Sequence, residues 1–269
     1  MPPAPDLNLE HLRLDRRDDG VAVLTLDLPE RRNMMSAPMT ASWGRAIAHL
    51  AADAELRCVV VTGAGPAFCS GGDTSWIGAD RDADVATLRQ RMIGFYRQWL
   101  VLRDLEVPTV AAVNGAAVGA GLALALACDL RVVAEDARLG VPFTALGMHA
   151  GMATTWSLPD VAGLAVARDL LLTGRMVDGV EAGRLGIASR VVPAQEVLDV
   201  GLAMAADVAA RAPIATRLTT VALRGGGHAD YATALEWEAL AQAVTLATED
   251  LQEGLAAQRE RRRPVFRGR

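Results

Sequence analysis

The 269-residue sequence contains no lysine, so its 27 basic side chains are all arginine. That absence excludes a lysine Schiff base, a pyridoxal-phosphate anchor, a Walker-type phosphate lysine and a lysine general base. Arginine stays charged at any working pH. A side-chain acid or base must therefore be Asp, Glu, His, Tyr or Cys. Aromatics are scarce, at 4%, against 51% apolar residues, so the core has to be built from Ala, Val and Leu. A basic surplus is missing too: 32 acidic side chains give a net charge of −5. This argues against nucleic acid or an anionic membrane as partner, since both need a basic face. The three cysteines, Cys58, Cys69 and Cys128, lack CxxC spacing, which fits a reduced, cytoplasmic protein. The longest apolar run, Ala116 to Cys128, is too short for a membrane span. Met-Pro-Pro-Ala-Pro lacks the charged and apolar regions of a signal peptide, and residues 1–10 are expected to be disordered.

What is present reads as α/β. GVAVLTLD (20–27) alternates and is rich in β-branched residues, as a strand does. RCVVVTG (57–63) and PTVAAVNG (108–115) are continuous apolar runs, suited to strands buried on both faces. DLRVVAED (129–136) is a fourth strand. Helical spacing covers 37–52, 83–103 and 119–127, the second with Leu88, Met92, Tyr96 and Trp99 on one stripe. The alternation predicts parallel strands with crossover helices. From 194 to 260 only helical patterns remain, broken at Pro213 and Gly225-Gly226-Gly227. The expected organisation is an α/β core over 11–200 and a helical segment over 201–269.

Two glycine-rich loops each follow a buried strand: Phe68-Cys69-Ser70-Gly71-Gly72-Asp73, and Asn114-Gly115-Ala116-Ala117-Val118-Gly119-Ala120-Gly121, the second opening a helix. Glycine lets a backbone N–H approach a ligand closely. Two such loops can aim two N–H groups at one oxygen, an oxyanion hole. Either loop alone is equally what a tight strand-to-helix turn requires.

The pair FCSGGD and AAVNGAAVGAGLALALACDLRVVAEDARLG resembles the crotonase (enoyl-CoA hydratase/isomerase) superfamily. LDLPERRNMMS, LTGRMVDGVEAGRLGIASRVVP and TEDLQEGLAAQRERRRPVF resemble further segments of it, in the right order over roughly residues 8–267. The resemblance implies a crotonase-like spiral of repeated β-β-α units and a C-terminal helical segment for homotrimerisation or a dimer of trimers. It also implies a coenzyme A thioester as ligand, with no further cofactor. By position, the Gly72 and Ala120 backbone N–H groups would hold the thioester carbonyl. Arg31, Arg32, Ser70 and Asp73 would lie against the coenzyme. The run Arg259, Arg261, Arg262 and Arg263 is either a solvated helix end or a reach toward a neighbouring subunit's ligand.

The sequence departs from the family where hydratases carry two glutamates: those positions are Ala123 and Phe143. Neither can transfer a proton, so the ordinary hydratase mechanism is not expected. A third family position, an aspartate in some relatives, falls at Gly151. His149 is then the candidate acid or base, because it titrates in the useful range; a structural loop histidine is the competing reading. Met92, Tyr96, Trp99, Phe143 and Trp156 are candidates to wall an acyl pocket, or else plain core. Asp80, Asp82 and Asp84 read as solvated. No metal site is expected, since His11, His49 and His228 fall into no ligand spacing. Two functions remain open: an isomerase- or lyase-type enzyme on an acyl-CoA, and an acyl-CoA-binding protein without catalysis.

Overall fold

The computed structural model describes residues 7–73, 75, 82–226 and 230–269. Asp80 and His228 lie outside them. Six strands form the main sheet: β1 (Leu12–Arg16), β2 (Val21–Leu26), β3 (Cys58–Gly63), β5 (Thr109–Val113), β7 (Leu130–Ala134) and β10 (Arg190–Val192), in the order β1-β2-β3-β5-β7-β10. From β2 to β10 the pairing is parallel, and only β1 runs antiparallel. Every residue of β5 is buried, as its unbroken apolar run requires; β2, whose alternation predicts one exposed face, is buried at every residue as well.

A second sheet takes the next short strand after each of three main-sheet strands: β4 (Ala67–Cys69), β6 (Ala116–Val118) and β8 (Arg138–Gly140), closed by antiparallel β9 (Met176–Asp178). This is the β-β-α repeat of the crotonase fold. The sequence reading had placed β4 and β6 in glycine loops. Three-residue strands carry too few residues to show a period.

The helices are α1 (Ala37–Ala51), α2 (Val85–Leu100), α3 (Ala120–Ala127), α4 (Thr154–Thr173, broken at Gly163), α5 (Gly179–Arg184), α6 (Val197–Ala209), α7 (Pro213–Val221), α8 (Tyr231–Leu246) and α9 (Glu249–Glu260). Ser36 caps α1 and Asp84 caps α2, each accepting a hydrogen bond from the N3 N–H. Trp43 of α1 stacks on Trp99 of α2 with ring centroids 4.9 Å apart. Their indole N–H groups donate to the Trp99 carbonyl and the Thr40 hydroxyl. Trp99 is therefore core, fully buried, and does not wall a pocket as the helical stripe had suggested.

Two boundaries move. Residues 7–10 are ordered rather than loose: Arg45 donates to the carbonyls of Leu7 and Asn8, and the Glu10 N–H donates to Ser42. A division at 200/201 would cut α6, whose Val197, Gly201 and Ala205 bury against β3, β5 and β7. The appended helices begin at Pro213 instead. Arg224 then ties them to the sheet, with Nε 2.7 Å and Nη2 2.5 Å from the Asp129 carboxylate and further bonds to the Arg103, Leu105 and Val107 carbonyls.

Candidate active site

The two glycine loops leave the carboxyl ends of β3 and β5 and meet. Gly71 has φ +103°, and a Cβ there would stand 2.7 Å from the Val118 carbonyl oxygen and 3.5 Å from the Ala120 nitrogen. Only glycine allows this approach. Gly121 seals the contact from the other side, its Cβ position lying 2.0 Å from the Cys69 carbonyl oxygen. Buried Asn33, which the sequence reading overlooked, organises the first loop. It accepts from the Leu28 N–H and donates to the Ala64 and Ala67 carbonyls. Its signal was only its place in the NMMS loop.

Between the loops and α2 lies a cavity of about 340 Å³, lined by Ser70, Gly71, Gly72, Met92, Phe95, Tyr96, Val118, Gly119, Ala120, Pro142, Phe143, Leu146, Met148, Gly151 and Met152. Gly72 and Ala120 thus face one space. Among the described residues their backbone N–H groups donate to no protein acceptor, whereas the adjacent Gly119 N–H is taken by Gly140. Ala120 is the first residue of α3, where an N–H has no intrahelical partner and the helix dipole is positive.

The lining is apolar apart from the Ser70 hydroxyl and the Tyr96 phenol. Among the described residues it holds no carboxylate and no imidazole. Tyr96 Oη lies 3.7 Å from Met92 Sδ, and burial pushes the phenol's pKa above its ordinary value. The phenol thus keeps its proton at neutral pH. A Cβ at Gly151 would stand 2.5 Å from that oxygen, so the glycine is what makes room for the phenol. Met152 and Ala153 follow with φ +52° and +55°, left-handed backbone of the kind that concentrates at functional sites.

The structure sorts the remaining candidates. Met92, Tyr96 and Phe143 line the cavity. Ala123 is buried inside α3. His149 does not line the cavity: it is exposed, and its Nδ1 sits 2.7 Å from the Ala150 carbonyl oxygen. Trp156 is also away from the cavity, 52% exposed, with the Arg103 guanidinium over its ring at 5.1 Å. Thr144 and Thr154 donate to backbone carbonyls, as packing residues do.

Arg31, Arg32, Ser70 and Asp73 do come together at the loop. The Ser70 N–H and hydroxyl donate to the carbonyls of Arg32 and Arg31. Hydrogen bonds from Ser75, then the Arg31 charge, hold the Asp73 carboxyl below its ordinary pKa. In the C-terminal run, Arg262 is engaged within the chain by Glu253 and Glu260. Cys69 is buried at the end of β4, its thiol pKa pushed up to about 12 by burial. No group of His, Cys, Asp and Glu among the described residues could hold a metal.

Known proteins are similar to this chain in sequence and fold. The enoyl-CoA hydratase/isomerase family model matches residues 16–269. The Bacillus subtilis protein YngF is 36% identical over 256 residues, covering 94% of this chain and 96% of its own. Human mitochondrial enoyl-CoA hydratase domain-containing protein 2 is 34% identical over 257 residues, covering 94% and 87%. The crystal structure of an enoyl-CoA hydratase from Bacillus anthracis superposes with a TM-score of 0.90 at 31% identity, covering 97% of this chain and 100% of that one. The chain belongs to the enoyl-CoA hydratase/isomerase family, within the crotonase superfamily.

Proposed function

We propose that the protein is an acyl-CoA enzyme of lyase or isomerase type that stabilises a thioester enolate through the Gly72 and Ala120 N–H groups, with Tyr96 as the proton donor. One observation carries this reading: two backbone N–H groups without a protein acceptor open onto a cavity whose single titratable side chain, among the described residues, is the half-buried Tyr96 phenol. A thioester carbonyl becomes negative as its enolate forms. Two preorganised donors in a water-poor pocket stabilise that charge without reorganising.

Among the described residues the cavity offers an acid and no base, which disfavours hydration of a double bond, since water must be activated. Steps that make the enolate by breaking a carbon–carbon bond suit it better. The bond's electron pair moves to the α-carbon and thioester oxygen, the Tyr96 phenol gives its proton to the α-carbon, and solvent reprotonates the phenolate. Loss of carbon dioxide from a carboxylated acyl thioester is such a step. Phe143, at the position of a hydratase carboxylate, turns that wall apolar. This feature also favours a second reading, an acyl-CoA-binding protein without turnover. The coenzyme would lie along Arg31, Arg32, Ser70 and Asp73.

The same reading has the chain acting in the cytoplasm as a homotrimer or dimer of trimers. Supporting it, a groove of about 560 Å³ between α7 and α8 is lined by Leu218, Leu223, Leu235 and Trp237. Among the described residues no helix is long and apolar enough to cross a membrane.

Two measurements separate the readings. Acetoacetyl-CoA, whose enolate absorbs in the near ultraviolet, should enolise on binding to the protein at neutral pH. A panel of enoyl-, hydroxyacyl-, branched and carboxylated acyl-CoAs, followed by mass spectrometry, should reveal turnover that Tyr96→Phe lowers by about 10²–10⁴-fold while leaving acetoacetyl-CoA enolisation intact. Turnover untouched by Tyr96→Phe removes the phenol from the mechanism. Tight binding with no turnover leaves the carrier reading. Rapid crotonyl-CoA hydration would overturn the whole assignment.

A further inference from the structure

At the opposite end of the sheet from the glycine loops, β3 and β5 begin side by side at Cys58 and Thr109. Just before those strands, Leu56, Arg57 and Val107 meet the α6–α7 connection, and Arg57, Arg211 and Arg217 converge on one small cleft. Arg217 Nη2 donates to the Ala54 and Leu56 carbonyls, both at 3.2 Å. Its Nε, and Arg57 Nη1, are buried with no hydrogen-bond partner.

None of these three arginines has a carboxylate partner among the described residues, although Arg13, Arg16, Arg175, Arg224 and Arg262 all do. The chain has acid to spare, 32 carboxylates against 27 arginines, and none of it is placed here. Buried guanidinium N–H groups without an acceptor are costly. Guanidinium forks match the oxygens of a tetrahedral anion. The cleft, partly open to solvent, has about 10 Å³ of free space, room for roughly one oxygen-sized group, and Arg211 is exposed at its rim.

We propose that Arg57, Arg211 and Arg217 form a binding site for a small inorganic oxyanion of phosphate type. One anion oxygen enters between Arg57 Nη1 and Arg217 Nε, and the remaining charge meets Arg211. The bound anion staples α7, the first of the appended helices, to the loop that leads into β3. The site is separate from the thioester cavity and stands or falls independently of the function proposed above.

The test is thermal unfolding of the full chain, followed by tryptophan fluorescence, with inorganic phosphate titrated at ionic strength held constant by sodium chloride. The wild type should show a saturable rise of several degrees at about a hundredfold excess over the dissociation constant. Arg57→Met and Arg217→Met should lose that rise. In phosphate-free buffer Arg57→Met should be at least as stable as the wild type, because it removes an orphaned buried donor. Arg211→Gln, an exposed change that does not threaten folding, should weaken phosphate binding about tenfold or more. Arg31→Gln with Arg32→Gln should keep the full response, which separates this site from the coenzyme loop. A rise that follows ionic strength alone, or an Arg211→Gln variant with unchanged phosphate affinity, overturns the proposal.

Discussion

Gly121→Ala tests whether the two loops act as one device. Gly121 is the second residue of α3, and its Cβ position lies 2.0 Å from the Cys69 carbonyl oxygen, 2.8 Å from its carbon and 2.9 Å from the Cys69 Cβ. A carbon and a carbonyl oxygen settle no closer than about 3.3 Å, so one methyl group must drive α3 and β4 apart by about 1.3 Å. The two nearest atoms are backbone and the third, Cys69 Cβ, is fixed by it, so no side chain can swing aside. The displacement therefore widens the space between Gly72, three residues past Cys69, and Ala120, next to Gly121. Overpacking of this kind costs about 1–3 kcal/mol in stability, readable by urea unfolding. A donor moved by an ångström is functionally a lost donor, and one oxyanion donor is worth about 10²–10³-fold. The bound acetoacetyl-CoA enolate-to-keto ratio should fall by that factor while the variant stays folded. Gly94→Ala is the control: nothing lies within 4 Å of its Cβ position in α2, and replacing a mid-helix glycine should stabilise the chain by about 0.5–1 kcal/mol with enolisation unchanged. A folded Gly121→Ala variant that enolises acetoacetyl-CoA like the wild type would refute the two-loop donor pair.

Asn33→Ala strands the Leu28 N–H and the Ala64 and Ala67 carbonyls, and should lower the unfolding free energy by about 2–4 kcal/mol in denaturant melts; a loss below 1 kcal/mol would mean that water replaces the side chain. Burial pushes the thiols of Cys58, Cys69 and Cys128 up to about 12, so native protein at pH 8 should resist iodoacetamide and take up three labels only when unfolded, as counted by mass spectrometry. Burial raises the Tyr96 pKa above its ordinary value of about 10, so the donating phenol is present at every pH below that. Turnover should hold level from about pH 6 to 9 and fall only in stronger alkali; a bend within that window would remove the phenol as the sole titrating group of the reaction.

The main sheet was legible because burial on both faces writes a continuous apolar run, as in Cys58–Gly63 and Thr109–Val113. The second sheet was not, because its three-residue strands sit in the very glycine segments that look like loops. β1, LRLDR, hid for a different reason: it is an edge strand whose alternating Arg13, Asp15 and Leu12, Leu14 look like ordinary surface. The pocket was half legible. Met92 and Tyr96 lie on the α2 stripe and face the cavity, but Trp99, on the same stripe, passes under α1 and stacks on Trp43. Helical periodicity identifies a face and leaves open what each part of that face meets. Phe95 and Met148 also line the cavity, each beside a residue, Tyr96 or His149, whose side chain carries the more conspicuous chemistry.

His149 shows the same limit in the site itself. It flanks Met148, which lines the cavity, yet its ring turns to the carbonyl of Ala150. Tyr96 comes from a helix some fifty residues earlier and reaches the space that Gly151 leaves open. Nothing local to either residue encodes that meeting. It follows from α2 lying across the loops that leave β3 and β5. The chemistry least visible in a sequence, backbone N–H groups held by close glycine contacts, is thus what the fold supplies most directly. Such donors need no lysine, no carboxylate and no particular side chain at Ala120. On the function proposed above, a chain without lysine, and with Ala123 and Phe143 where the resemblance would place glutamates, keeps the electrostatic half of thioester chemistry and takes the proton from a phenol.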